Sequence, residues 1–232
     1  MKKIFIILTF LGFIFPVNLV VKPYLQNATP NSIHILWETD TYDDSIVEWG
    51  MYVFLNEMTT GTSFINYGDS RIHTVELAGL EPNTRYYYQV QYDDNYSVQY
   101  NFITPPEPSS EASFRIIAMS DMQRDNSNPN KFNEVIHDGV IDYLTEEHSD
   151  DLASELAMVL VTGDLVVTGS SYYQWQDHFF GPSEDLFSHV PLYPVFGNHE
   201  QNTDYFIKYF HLPDNGTPGY EEHWYYTDYS NL

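Results

Sequence analysis

The sequence predicts two modules in series, a β-sandwich over residues 19–104 and an α/β domain over 113–232. Two patterns carry this reading. The first module holds short alternating runs separated by turn residues every few positions, the signature of an all-β sandwich. The second holds three short apolar runs, each ended by polar residues, with helical spacing between them. That order of strand, helix and strand builds right-handed crossovers in a mostly parallel sheet.

Residues 1–17 stand outside both modules. Met1-Lys2-Lys3 is basic and Ile4–Phe15 is almost wholly apolar, a run too short to span a bilayer and in the form of a secretory signal peptide. No small-x-small pattern marks its cleavage. The remainder is read as an exported protein with no membrane association after cleavage.

In the first module, Ser32–Glu38 alternates around Trp37. Ser45–Trp49, Arg71–Leu77, Thr84–Tyr92 and Ser97–Ile103 follow as further strands. Thr29-Pro30-Asn31, Asp40–Asp44, Glu81-Pro82-Asn83 and Asp93-Asp94-Asn95 supply the turns. Leu80-Glu81-Pro82-Asn83-Thr84-Arg85-Tyr86-Tyr87-Tyr88-Gln89-Val90 resembles the tyrosine corner of fibronectin type III domains. That resemblance implies packing roles for the aromatic residues, with Trp37 between two sheets. Thr104–Glu111, with three prolines, reads as an extended and solvated spacer around a 105–112 linker.

The second module opens with the run Phe114–Met119, ending at Ser120-Asp121-Met122-Gln123. Asn128-Pro129 then caps a helix whose apolar positions are Phe132, Val135, Ile136, Val140 and Leu144. The second run, Ala157–Thr162, ends at Gly163-Asp164. A helical stretch over 172–187 leads to the third run, Val190–Phe196, which ends at Gly197-Asn198-His199-Glu200. In an open α/β sheet, ligands bind beyond the carboxyl ends of the strands. Asp121, Asp164 and Asn198 therefore share one edge.

Two carboxylates and an amide oxygen are hard ligands for a divalent cation, and Asp164 has two oxygens with which to bridge a pair. Two cations ~4 Å apart polarise a phosphate and lower the pKa of water. His199 is placed to protonate a leaving oxygen or to steady developing charge, and Glu200 to orient His199 by hydrogen bonding. His137 and His148 read as surface side chains.

With these residues assembled, the second module resembles the N-terminal half of the calcineurin-like metallophosphoesterase fold, an α/β/β/α sandwich. The preceding β-sandwich makes the pair similar to the purple acid phosphatase architecture. The resemblance implies hydrolysis of small phosphoesters by a hydroxide held on two metal ions, drawn from Fe, Zn, Mn and Mg. It implies Asp121 on one metal, Asp164 as the bridge, Asn198 on the other and His199 as the catalytic histidine. Three departures accompany it. Gln123 stands where family members carry His or Gly, and offers a neutral oxygen as a weaker ligand. Val167 stands where the purple enzymes carry a ligating Tyr, so no purple colour is expected. The late histidine ligands and the Gly-His-x-His segment have no counterpart. His223–Leu232 resembles the strand that opens the second half of the sandwich, so Leu232 is expected to interrupt the domain and these residues alone to turn over little substrate.

Composition narrows the alternatives. With 9 Lys+Arg against 33 Asp+Glu and a formal net charge of -24, the surface repels nucleic acid, which disfavours a nuclease. Cysteine is absent, which removes disulfides and thiolate metal sites. The second reading kept open is an exported adhesion or binding protein whose phosphoesterase-like domain has lost catalysis.

Overall fold

The computed structural model describes residues 16–220 and 223–231. Most of the expected signal segment lies outside them. Among the described residues, no helix is long and apolar enough to cross a membrane.

The N-terminal region is a pair of antiparallel sheets. Its strands are β1 (Leu19–Thr29), β2 (Ser32–Thr39), β3 (Ile46–Gly50), β4 (Glu57–Thr60), β5 (Thr62–Ile65), β6 (Arg71–Ala78), β7 (Arg85–Tyr92), β8 (Asn95–Tyr96) and β9 (Tyr100–Ile103). One sheet runs β1-β2-β6-β5; the other is β4-β3-β7, with β8 and β9 both paired to β7. Trp37, Ile33, Ile35, Val75, Tyr88 and Phe102 fill the space between the sheets, and Trp37 is fully buried, as the alternating pattern predicts. The Tyr86 hydroxyl accepts a hydrogen bond from the backbone N–H of Glu81 at 2.9 Å, closing the corner that the Leu80–Val90 stretch resembles.

One expectation fails informatively. Alternation in Ser32–Glu38 predicts one buried face, yet nearly all of β2 is buried. Ile33, Ile35 and Trp37 face the sandwich interior. Leu36 joins Val21, Tyr24 and Ile72 in a second apolar cluster, formed with Phe180, Tyr209 and Leu212 of the C-terminal region. The first sheet is thus covered on both sides. The polar-face residues His34 and Glu38 are buried against the other domain. The start of the linker follows suit: Pro105 and Pro106 are buried instead of solvated, and the Pro105 carbonyl accepts from Asn83 N–H at 3.1 Å.

The C-terminal region is α/β. Strand β10 (Ile116–Met119) precedes a helix built of α1 (Lys131–Glu134), a π-helical stretch Val135–Ile141 and α2 (Asp142–Glu147). A short helix α3 (Leu152–Glu155) leads into β11 (Met158–Val161). A second compound helix follows, α4 (Tyr172–Gln174), π-helical Trp175–Phe180 and α5 (Gly181–Phe187), then β12 (Leu192–Pro194) and α6 (Asp204–Tyr209). The sheet order is β10-β11-β12, parallel throughout, so all three carboxyl ends meet one edge. Phe132, Ile136, Val140 and Leu144 are buried on the first helix, and Trp175, Phe179 and Phe180 on the second. The third apolar run contributes a shorter strand than its length suggests. The described part of 223–232 forms turns and irregular chain, not the expected strand.

Candidate metal and phosphate edge

Three loops leave the carboxyl ends of β10, β11 and β12 and lock together backbone to backbone. Asp121 N–H points to the Gly163 carbonyl at 3.4 Å, and Gln123 N–H donates to the Asp164 carbonyl at 2.9 Å. Asp164 Oδ1 accepts the His199 N–H at 3.1 Å. The contact leaves no room for a side chain where the loops cross. A Cβ on Gly197 would sit 2.2 Å from both the N and Oδ1 of Asp164, and one on Gly163 would sit 2.6 Å from the Gly197 Cα. Gly163 also has φ +88°, a conformation that L side chains rarely adopt.

Both acidic candidates are held in left-handed backbone, Asp121 at φ 57° and Asp164 at φ 56°. Such geometry costs about 1–3 kcal/mol per residue and persists only where surroundings enforce it. For Asp121 the enforcing contacts are Ser120 Oγ donating to its Oδ2 at 2.6 Å and Lys131 Nζ donating to its carbonyl at 2.5 Å. Neither partner was picked out from sequence. Ser120 precedes Asp121 directly, but Lys131 reaches it only because α1 folds back over the strand tip.

Glu200 corrects one sequence expectation. Its carboxylate does not reach His199. It is fully buried and accepts four backbone N–H groups: Asp164 at 2.9 Å and Gly197 at 2.7 Å on Oε2, Leu165 at 2.7 Å and Val166 at 3.3 Å on Oε1. Its role is to lash the Asp164 loop to the Gly197 loop. The His199 ring is held instead through Nδ1, 2.7 Å from the Val167 carbonyl. A carbonyl only accepts, so Nδ1 carries the hydrogen and Nε2 is the atom left for proton transfer. Gly169 supports the same corner, donating its N–H to the His199 carbonyl at 2.9 Å.

Asp121 and Asn198 are exposed, while Asp164, His199 and Gln123 are half-buried. The Gln123 Oε1 atom is buried with no hydrogen-bond donor. A buried acceptor without a donor calls for a cation or a water. The oxygens of Asp121, Asp164, Asn198 and Gln123 are therefore the right chemical type for a hard divalent ion. Among the described residues, no three His, Cys, Asp or Glu side chains are grouped to hold a metal. His178, His189, His211 and His223 are engaged elsewhere. His178 Nε2 lies 3.3 Å from Arg124 Nη1, and burial, with that guanidinium, lowers its pKa. His189 Nδ1 meets the Asn101 carbonyl at 2.9 Å, the His211 ring packs at a tilt on His34, and the His223 ring packs on Phe196.

The family follows from a sequence-wide match. Residues 114–231, just over half of the chain, fit the model of the calcineurin-like phosphoesterases, and residues 20–104 fit that of the purple acid phosphatase N-terminal domain. The chain belongs to the calcineurin-like phosphoesterases. Two curated plant relatives from Arabidopsis thaliana are similar to it, "Probable inactive purple acid phosphatase 24" and "Probable inactive purple acid phosphatase 27". Each is 30% identical over 56% of this chain. The chain's match spans 22% of each relative's length. Among solved structures, PhoD shares the fold at a TM-score of 0.51 with 13% identity, over 85% of this chain and 42% of that one. The family and the sandwich followed by a parallel α/β region therefore rest on independent observations.

Proposed function

We propose that the protein is an exported hydrolase of small phosphoesters, with Asp121, Asp164 and Asn198 holding the metal ions that the family uses and Gln123 as a weaker oxygen donor. The single observation that carries this reading is the convergence of three strand tips on one edge of hard oxygen donors, with Glu200 lashing the Asp164 loop to the Gly197 loop and the Asp164 carbonyl accepting the Gln123 N–H. Cations bound there would neutralise phosphoryl oxygens and lower the pKa of water. The chain's own contribution is positional. The Val167 carbonyl fixes the His199 ring so that Nε2 faces away from the backbone contact; in the imidazolium form the ring would give its Nε2 proton to the leaving oxygen and keep the Nδ1–H. Asp164 is held between the two other loops, the place a bridging carboxylate requires. The substrate is a small ester and not a nucleic acid, because a net charge of -24 repels a long polyanion.

A second reading has its own support. The curated relatives are named "Probable inactive", and Gln123 presents a neutral oxygen where the family resemblance implies His or Gly. An exported binding protein with a degenerate phosphoesterase domain fits these facts.

The test is hydrolysis of p-nitrophenyl phosphate and bis-p-nitrophenyl phosphate with added Mn, Zn or Fe. It should use both the 232-residue chain and the product of the whole gene. Metal-dependent turnover by the gene product that disappears in Asp164→Asn supports the hydrolase. Cation binding, measured by calorimetry, without turnover of either ester favours the binding protein.

A further inference from the structure

A cavity of about 550 Å³ opens on the N-terminal sandwich, on the turn between β3 and β4 and away from the strand-tip edge. Trp49, Met51, Tyr52 and Phe54 form its apolar lining. Met51, Tyr52, Val53 and Phe54 are four consecutive apolar residues, exposed by 46%, 71%, 57% and 85%. Hairpin turns are normally polar, and a contiguous exposed apolar patch marks a binding surface. The turn is also preformed. Gln99 Nε2 donates to the Val53 carbonyl at 3.0 Å, and Asn56 Nδ2 donates to Glu57 Oε1 at 3.0 Å.

The chemistry of the lining selects the ligand. Trp49 Nε1 is already committed to Thr59 Oγ1 at 2.9 Å, so the indole has its ring, not its N–H, to offer. The charged groups are the carboxylates of Glu57 and Glu81, and no Lys or Arg lines the cavity. Anions, phosphoesters included, are therefore repelled, and the ligand must donate hydrogen bonds. Trp49 and Tyr86 lean on each other, centroids 5.8 Å apart at 58°. Tyr86 is itself buried, so Trp49 is the ring of this pair that presents a face to the cavity. A flat C–H face over the aromatic platform, with hydroxyls donating to carboxylates, satisfies both halves of the lining.

We propose that this cavity binds a neutral saccharide with equatorial hydroxyls, of the β-linked glucan type, and tethers the phosphoesterase region to polymeric glycan. The site is independent of the strand-tip edge and of any metal.

Calorimetric titration of the 232-residue chain with cellohexaose, in parallel with the Trp49 indole N–H resonance, tests it. Saturable binding is expected, with a shift confined to Trp49 among the four tryptophans. Binding should weaken at least 10-fold in the Tyr52→Ala, Phe54→Ala double variant, whose Tm stays unchanged because both side chains are exposed. Glu81→Gln serves as a second probe of the hydroxyl contacts and should weaken binding without loss of Tm. Absence of saturable binding at millimolar cellohexaose, binding that survives the double variant, or preference for choline over cellohexaose overturns the proposal. Asp164→Asn should leave cellohexaose binding untouched, which separates this site from the phosphoester reading.

Discussion

Among the described residues two glutamates are fully buried, and neither forms a salt bridge. They solve the same problem differently. Glu200, at the strand-tip edge, takes four backbone N–H donors. Glu38, on β2 at the face between the two regions, takes only side chains: Asn66 at 3.0 Å, Ser70 at 2.7 Å, Tyr172 at 3.0 Å, Tyr209 at 2.9 Å and Gln176 at 3.5 Å. Backbone donors are fixed in direction and can never accept. Hydroxyls rotate and do both. The strand-tip edge is therefore a rigid device, while the face between regions can adjust. Tyr209 and Tyr172 show the field of Glu38, their hydroxyl pKa values raised first by burial and then by that carboxylate.

The sharpest way to break the comparison is the same substitution at both sites. Glu200→Gln puts an NH₂ group against N–H donors that cannot turn. It should cost about 3–5 kcal/mol in chemical denaturation, together with at least a 10-fold loss of Mn affinity by calorimetry. An equal cost at Glu38 would undo the distinction.

Next in size is Gly197→Ala. The added carbon would press on Asp164 N and Oδ1 at 2.2 Å, and overpacking of this kind costs about 1–3 kcal/mol. Cation binding should fall more than Tm does, because the Asp164 carboxylate is what must move.

The face between regions has its own pH response. The rings of His34 and His211 lie against each other, tilted by 31° with centroids 4.0 Å apart. Burial, reinforced by His211, lowers the His34 pKa to about 4, and burial lowers that of His211. Glu76 lies opposite His34 on β6 and opposes the shift at His211, while Gln26 lies opposite on β1. Both imidazoles fold in neutral form. The unfolded chain takes up protons that the folded one does not, so the associated stability is complete above about pH 6.5 and is lost as pH falls toward 4. The loss is on the order of 2 kcal/mol. His73, buried between Thr39 and Ser45 and also lowered to about 4, adds to the slope within the sandwich. A Tm measured from pH 7 to pH 4.5 should drop less steeply in His34→Gln, and an unchanged slope would place the acid response elsewhere.

The smallest effect is expected from Glu38→Gln, about 1 kcal/mol, because the tyrosine and serine hydroxyls around it can turn to accept. Glu38→Leu, which leaves every donor without an acceptor, should cost about 3 kcal/mol or more; the ratio of the two costs measures how far that face adapts.

Some of this was legible in residue order alone. Period-2 alternation marked the strands around Trp37, and three apolar runs with intervening helical spacing marked a parallel sheet, because backbone periodicity dictates which side chains share a face. The same rule put Asp121, Asp164 and Asn198 beyond three strand ends. Strands β1, β4 and β5 carry weaker alternation and emerge only as partners of β2, β3 and β6. The roles of Lys131 and the Val167 carbonyl were not legible, since each acts through a fold-back that spacing does not encode.

The sequence by itself determined the fold class and the three positions that face one edge, both consequences of local geometry and hydrophobic pattern. Only the tertiary structure decided what the two buried glutamates do. A carboxylate's partners depend on which donors the packing delivers, and for Glu38 those come from residues as distant in the chain as Tyr172 and Tyr209. It likewise decided that β2 is buried on both faces, because the second covering layer belongs to another part of the chain.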